Sequence, residues 1–140
     1  MANMITPKTN WTPNDYVNVE DYNRIINNLW YITTELLKPY YDFDDSFKNL
    51  INHQVTYSDY PTADRWNLIE DSIEKIVNVT GGIVDAGNKK IFADGGTYID
   101  YNELNRIESF TVKCRNLHSN IIKKTLPFTL GTYGGIQVWV

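Results

Sequence analysis

One phrase recurs along this chain and constrains its fold more than any other feature. Asp21-Tyr22-Asn23-Arg24-Ile25 returns as Glu103-Leu104-Asn105-Arg106-Ile107. A blurred third copy, Arg65-Trp66-Asn67-Leu68-Ile69-Glu70, lies between them. Both full copies fall just inside the start of a predicted helix. Self-similarity at such intervals marks a structural unit used several times. No catalytic residue is common to the three copies, so the repetition points to architecture before chemistry.

The pattern of apolar residues predicts three long helices around these copies. The first runs from about Val19 to Lys38, with Asn18 as N-cap and Glu20 and Asp21 at the positive end of its dipole. Tyr22, Ile25, Leu29, Ile32 and Leu36 make its stripe, Ile26, Trp30 and Leu37 widen it, and Pro39 ends it. The second starts near Pro61, carries Trp66, Ile69, Ile73 and Ile76, and closes on Gly81-Gly82. The third begins after Asp100, where Asp100 and Glu103 have capping-box spacing. Its stripe is Leu104, Ile107, Thr111, Cys114 and Ile121, flanked by Phe110 and Leu117. A short helix from about Asp45 to Asn52 lies in the acidic, Tyr-rich connection between the first two.

The remaining segments read differently. Residues 1–18 form an extended polar arm whose one large apolar group is Trp11. Residues 83–99 hold two turn signals, Ala86-Gly87-Asn88 and Asp94-Gly95-Gly96, and read as a loop with short strand character around Ile91-Phe92. Residues 126–130 and 136–140 read as two strands, a C-terminal β-hairpin or strand pair. The expected fold is therefore mainly α: three long helices, a short helix and a β tail. The expected organisation is an arm (1–18), a helical domain (19–124) and the tail (125–140).

Arginine near a helix start gains nothing from the dipole, whose positive end lies there. Arg24 and Arg106 therefore call for local acidic partners. For Arg106 these are Glu103 and Asp94, and for Arg24 they are Asp21 and Asp15. Asn23 and Asn105 stand one residue earlier, within reach of loop backbone. The expectation is that each pair, Asn23-Arg24 and Asn105-Arg106, pins an entering loop against its helix.

A search for chemistry finds no site. Net charge is −4, with no basic stripe to neutralise phosphates, which argues against nucleic-acid binding. No apolar run approaches the length of a membrane span. The single cysteine, Cys114, has no partner in the chain and falls on the buried phase of its helix, as a core thiol does. His118 lies four residues on, and the two read as a packed pair, because two ligands do not make a zinc site. Asp42, Asp44 and Asp45 lack the glycine and distal glutamate of a calcium loop. There is no P-loop, no G-x-G-x-x-G and no G-x-S-x-G. The expectation is no catalytic residue, no metal and no cofactor.

Asn10-Trp11-Thr12-Pro13-Asn14-Asp15, followed by Asp21-Tyr22-Asn23-Arg24-Ile25-Ile26-Asn27-Asn28, resembles the opening of small structural proteins of phages and prophages of Gram-positive bacteria. Tyr101-Asn102-Glu103-Leu104-Asn105-Arg106-Ile107-Glu108 resembles that pattern more closely, and the first copy departs from it at Ile26, where Glu is usual. The resemblance covers two patches. It implies a virion component of the tail, baseplate or fibre-attachment region, synthesised in the host cytoplasm. It implies no catalytic residues. The implied partners are other virion proteins and copies of the chain itself.

Aromatic residues reach 14 %, a content that suits interfaces as well as cores. Trp11, Tyr40, Tyr41, Phe43, Tyr133, Val138 and Trp139 are the candidate contact residues. Exposed aromatic rings also suit a carbohydrate-binding module that recognises a host surface, and a monomeric inhibitor of one host protein is a third reading.

Overall fold

In the computed structural model the described residues are 4–56, 62–93 and 99–130, with side chains described through residue 123. Helix α1 spans Val19–Tyr31, α2 spans Ala63–Val79 and α3 spans Tyr101–Leu130. A 3-10 helix, Asp45–His53, occupies the connection between α1 and α2. Among the described residues there is no strand. The chain is mainly helical, as its apolar periodicity predicts.

Helix α1 opens with a full capping box. Asn18 Oδ1 accepts from the Asp21 N–H at 3.0 Å, and Asp21 Oδ2 accepts from the Asn18 N–H at 3.0 Å. Tyr22, Ile25, Leu29 and Ile32 are fully buried, as their spacing requires. The helix does not run regularly to Lys38. From Ile32 to Leu36 it widens into one π turn, closed by the Leu37 N–H on the Ile32 carbonyl. The hydroxyls of Thr33 and Thr34 bond back to the carbonyls of Leu29 and Trp30, competing for the acceptors of the regular ladder. Leu37, expected at the edge of the stripe, is fully buried, and Leu36 is half-buried against the core.

Pro39 follows, and the connection folds back. Tyr41, Phe43 and Phe47 pack edge to face, and Asp44 caps the 3-10 helix by accepting from the Ser46 N–H. The Asp44 carboxyl is held low chiefly by that bond. The acidic cluster thus serves as a helix start.

Helix α2 buries Trp66, Ile69, Ile73 and Ile76, with the Tyr22 ring set edge-on to Trp66 at 5.4 Å. It ends at Gly81 and Gly82, both at positive φ, where the Gly82 N–H reaches the Val77 carbonyl. Helix α3 starts with the Glu103 N–H on Asp100 Oδ1 at 2.9 Å. It buries Leu104, Ile107, Phe110, Thr111 and Cys114 against the other helices. Helix α1 is the hub: it packs on α2, on α3 and on the 3-10 helix.

Two sequence readings change. The loop after α2 has no strand over Ile91-Phe92; Phe92 is held by a side chain instead of a neighbouring strand. Helix α3 continues to Leu130, so residues 126–130, expected as the first tail strand, are helical. The second expected strand, 136–140, lies outside the described residues.

Candidate functional site

The three copies of the repeated phrase perform one job. Each asparagine grips one residue of irregular backbone by both of its peptide groups. Asn23 accepts from the Val55 N–H and donates to the Val55 carbonyl, both at 2.8 Å. Asn67 does the same to Phe92, again at 2.8 Å for each bond. Asn105 accepts from the Trp11 N–H at 2.8 Å and donates to the Trp11 carbonyl at 3.0 Å. A side-chain amide carries the same donor and acceptor as a peptide group, so it can stand in for one residue of an antiparallel strand. Aspartate cannot, because it has no donor.

The gripped residues form a cycle. Asn23 on α1 holds the segment that leads into α2. Asn67 on α2 holds the segment that leads into α3. Asn105 on α3 holds the arm that leads into α1. The asparagines do pin loops, but each pins the lead-in of the next helix in the cycle, not of its own. The grips bring Trp11, Val55 and Phe92 to the core, where each is buried.

The arginines close the same ring through buried carboxylates. Arg24 on α1 meets Glu108 on α3 in a two-bond fork, Nε to Oε1 at 2.8 Å and Nη2 to Oε2 at 2.7 Å. Arg106 on α3 meets Glu70 on α2 through Nη2. Both carboxylate side chains are 1 % exposed. Each arginine also keeps the acid expected three residues before it: Asp21 for Arg24 at 3.0 Å and Glu103 for Arg106 at 2.9 Å. Arg24 does not pair with Asp15, which bonds Thr12 and Lys8 instead. Asp94 lies outside the described residues. At the third junction the corresponding positions are Leu68 on α2 and Ile26 on α1, both packed in the apolar core.

Burial and charge act in opposite directions at these acids. Burial pushes the Glu70 carboxyl up, and the Arg106 guanidinium and the Lys90 N–H pull against it. The Glu108 hydrogen bonds push the Arg24 guanidinium further up. Glu108 is the busiest of the set. Its two oxygens also accept from the Lys8 N–H at 3.0 Å and the Trp11 indole N–H at 2.8 Å. Arg106 extends to the Ala86 carbonyl, and the loop crosses its aliphatic stem at Gly87, φ +71°. A β-carbon there would stand 3.1 Å from Arg106 Cδ, so the close approach as well as the backbone angle favours glycine.

Sequence reasoning located Asn23, Arg24, Asn105 and Arg106 but missed Asn67, Glu70 and Glu108 as members of the ring. Their regular spacing is visible in the sequence, but their partners are not. Glu70 and Glu108 each stand three residues after their asparagine, and Trp11, Val55 and Phe92 precede Asn23, Asn67 and Asn105 by 12, 12 and 13 residues. Asn28 was missed too: it grips Ile5 of the arm by both peptide groups at 2.8 Å.

Of the candidate contact residues, Trp11 and Phe43 are buried in the chain's own core, and Tyr41 is half-buried beside Phe43. Tyr40 is exposed, with its ring 6.1 Å from that of His118. Tyr133, Val138 and Trp139 lie outside the described residues. Cys114 is fully buried and burial pushes its thiol up to about 12, whereas His118 is half-buried beside Tyr40. Among the described residues no group of three or more His, Cys, Asp or Glu is placed to hold a metal ion. A cleft of about 290 Å³ lies between α2 and the 85–89 loop. Its charged groups already have partners: Lys89 pairs with Glu74 and Asp71, Arg106 with Glu70, and Asp85 accepts from the Gly87 N–H. Among the described residues no helix is long and apolar enough to cross a membrane. No family model, no curated protein and no solved structure matches this chain.

Proposed function

We propose that the chain is a non-enzymatic structural subunit of a phage or prophage-derived particle, acting through protein–protein contacts in the tail, baseplate or fibre-attachment region. One observation carries the reading. The polar side chains of the repeated phrase are spent on holding segments of the scaffold: the asparagines on loop backbone, the arginines on buried carboxylates. A motif repeated for architecture suits a part whose work is to hold shape in an assembly. The resemblance of Asp21–Asn28 and Tyr101–Glu108 to phage structural proteins points the same way.

The test is to purify particles from a lysate of the strain that encodes the chain, by density gradient, and probe them with an antibody to it. Co-sedimentation with particles, together with arrested or incomplete particles when the gene is deleted, supports the proposal. A chain that stays at the top of the gradient while complete particles form without it overturns the proposal.

A further inference from the structure

The arm is held as a bound peptide is held. Ile5 exchanges both backbone bonds with Asn28, Lys8 donates its N–H to Glu108, and Trp11 exchanges both backbone bonds with Asn105. The indole N–H enters the same carboxylate, and the Lys8 ammonium lies 4.4 Å over the indole ring. The contacting residues, 5, 8 and 11, recur at every third position around Pro7, the repeat of an extended polyproline-type strand. Their receptors, Asn28, Asn105 and Glu108, stand on two helices, so the groove is formed by rigid elements. Asn28 and Glu108 are fully buried under the arm.

The link between arm and bundle has a different character. Residues 12–16 are all exposed. Thr12 and Asp15 close a turn on themselves, with the Thr12 N–H on Asp15 Oδ2 and the Asp15 N–H on the Thr12 carbonyl. The only described ion pair from this link is the exposed one from Asp15 to Lys8 of the arm. The link therefore acts mainly as a tether, and the groove supplies the specificity.

We infer that the groove between α1 and α3 also accepts the 4–11 arm of a second copy of this chain, so that two copies associate by exchanging arms. The bonds of Ile5, Lys8 and Trp11 to Asn28, Asn105 and Glu108 run from arm to groove, and none requires both to belong to one molecule. The cis arrangement is favoured by the local concentration its short tether imposes, on the order of millimolar. Exchange takes over when copies are crowded to that level, or when cis pairing is weakened on one side only. This goes beyond the proposed function, because it needs no particle and stands or falls with the groove.

Two full-length variants test it by complementation. Trp11→Ala has a defective arm and an intact groove, and Asn105→Asp has an intact arm and a groove that has lost its donor. Neither can satisfy its own pairing, but mixed they hold one intact arm and one intact groove. The expected result is that each variant alone runs as a monomer by light scattering, and that an equimolar mixture forms a heterodimer of twice the mass. A mixture that remains monomeric, with both variants showing helical circular dichroism, overturns the inference. Should either variant fail to fold, the wild-type chain decides. Heavy and light isotopic copies mixed near millimolar concentration should give mixed dimers by native mass spectrometry, and excess synthetic peptide of residues 4–11 should dissolve them. Monomers alone, or dimers indifferent to the peptide, overturn it equally.

Discussion

Arg24 on α1 and Glu108 on α3 stand 84 residues apart in sequence and meet as a parallel two-bond fork of 2.8 and 2.7 Å. The same carboxylate holds the Trp11 indole and the Lys8 N–H. One buried acid thus ties the arm, the first helix and the third helix together, and the geometry is the strong bidentate form of an Arg–carboxylate pair. A charge so placed is stable only with its partners present, because desolvation removes the alternative of water.

Arg24→Ala should therefore cost about 3–5 kcal/mol, the range for leaving one member of a buried pair alone. The double variant Arg24→Ala with Glu108→Ala should be less destabilised than the sum of the singles, with a coupling of about 1–3 kcal/mol. Urea denaturation of the four chains gives the cycle. Strict additivity would remove the pair as a stabilising unit.

Asn67 is the clearest test of the amide grips, because Leu68 stands where the other two phrases carry arginine. Asn67→Ala should cost about 1–2 kcal/mol through two lost hydrogen bonds. Asn67→Asp should cost at least as much, since a carboxylate then faces the Phe92 carbonyl without a proton to donate. Amide exchange at Phe92 should quicken in both. An Asn67→Asp chain as stable as wild type at neutral pH would refute the grip.

Tyr22 presents the opposite case. Its hydroxyl is buried and makes no hydrogen bond of normal geometry, and burial pushes the phenol up while nearby Arg65 opposes the shift. Tyr22→Phe keeps the ring on Trp66 and removes a desolvated hydroxyl. Stability should rise by up to about 1 kcal/mol. A comparable loss in thermal or chemical unfolding would mean that the hydroxyl has a favourable partner.

The raised Glu70 carboxyl predicts a pH dependence of definite sign. The native chain holds that proton more tightly than the unfolded chain, whose ordinary value is 4.5. The contribution is fully present below 4.5 and is lost as pH rises through the higher native value. Glu70→Gln lacks this term. The stability of wild type relative to Glu70→Gln should therefore fall as pH increases above 4.5 and then level off. Denaturation midpoints of both chains across that range decide it, and a rise with pH would contradict the assignment.

Cys114 should behave as packing, not as a reagent. With its thiol pushed up to about 12 by burial, labelling by a thiol reagent at pH near 8 should be slow in the folded chain and fast in denaturant. The folded-state rate should track local opening. Rapid labelling of the native chain would place the thiol at the surface.

The sequence by itself determined where the long helices begin and most of the residues that they bury. Asn18 starts α1, Gly81 and Gly82 end α2, and the stripes through Ile25, Ile73 and Ile107 point inward, because capping and 3.6-residue periodicity act between near neighbours. It also marked Asn23, Arg24, Asn105 and Arg106 as residues with work to do. The tertiary structure alone decided what that work is. Asp21 and Glu103 were legible as partners because they lie one turn away. Glu108 and Glu70 were not, because a buried pair between helices depends on how the helices are arranged. The same reason hid the direction of the cycle. An asparagine announces that it can hold a backbone segment, and only packing decides that Asn105 closes on Trp11 and not on the loop beside it.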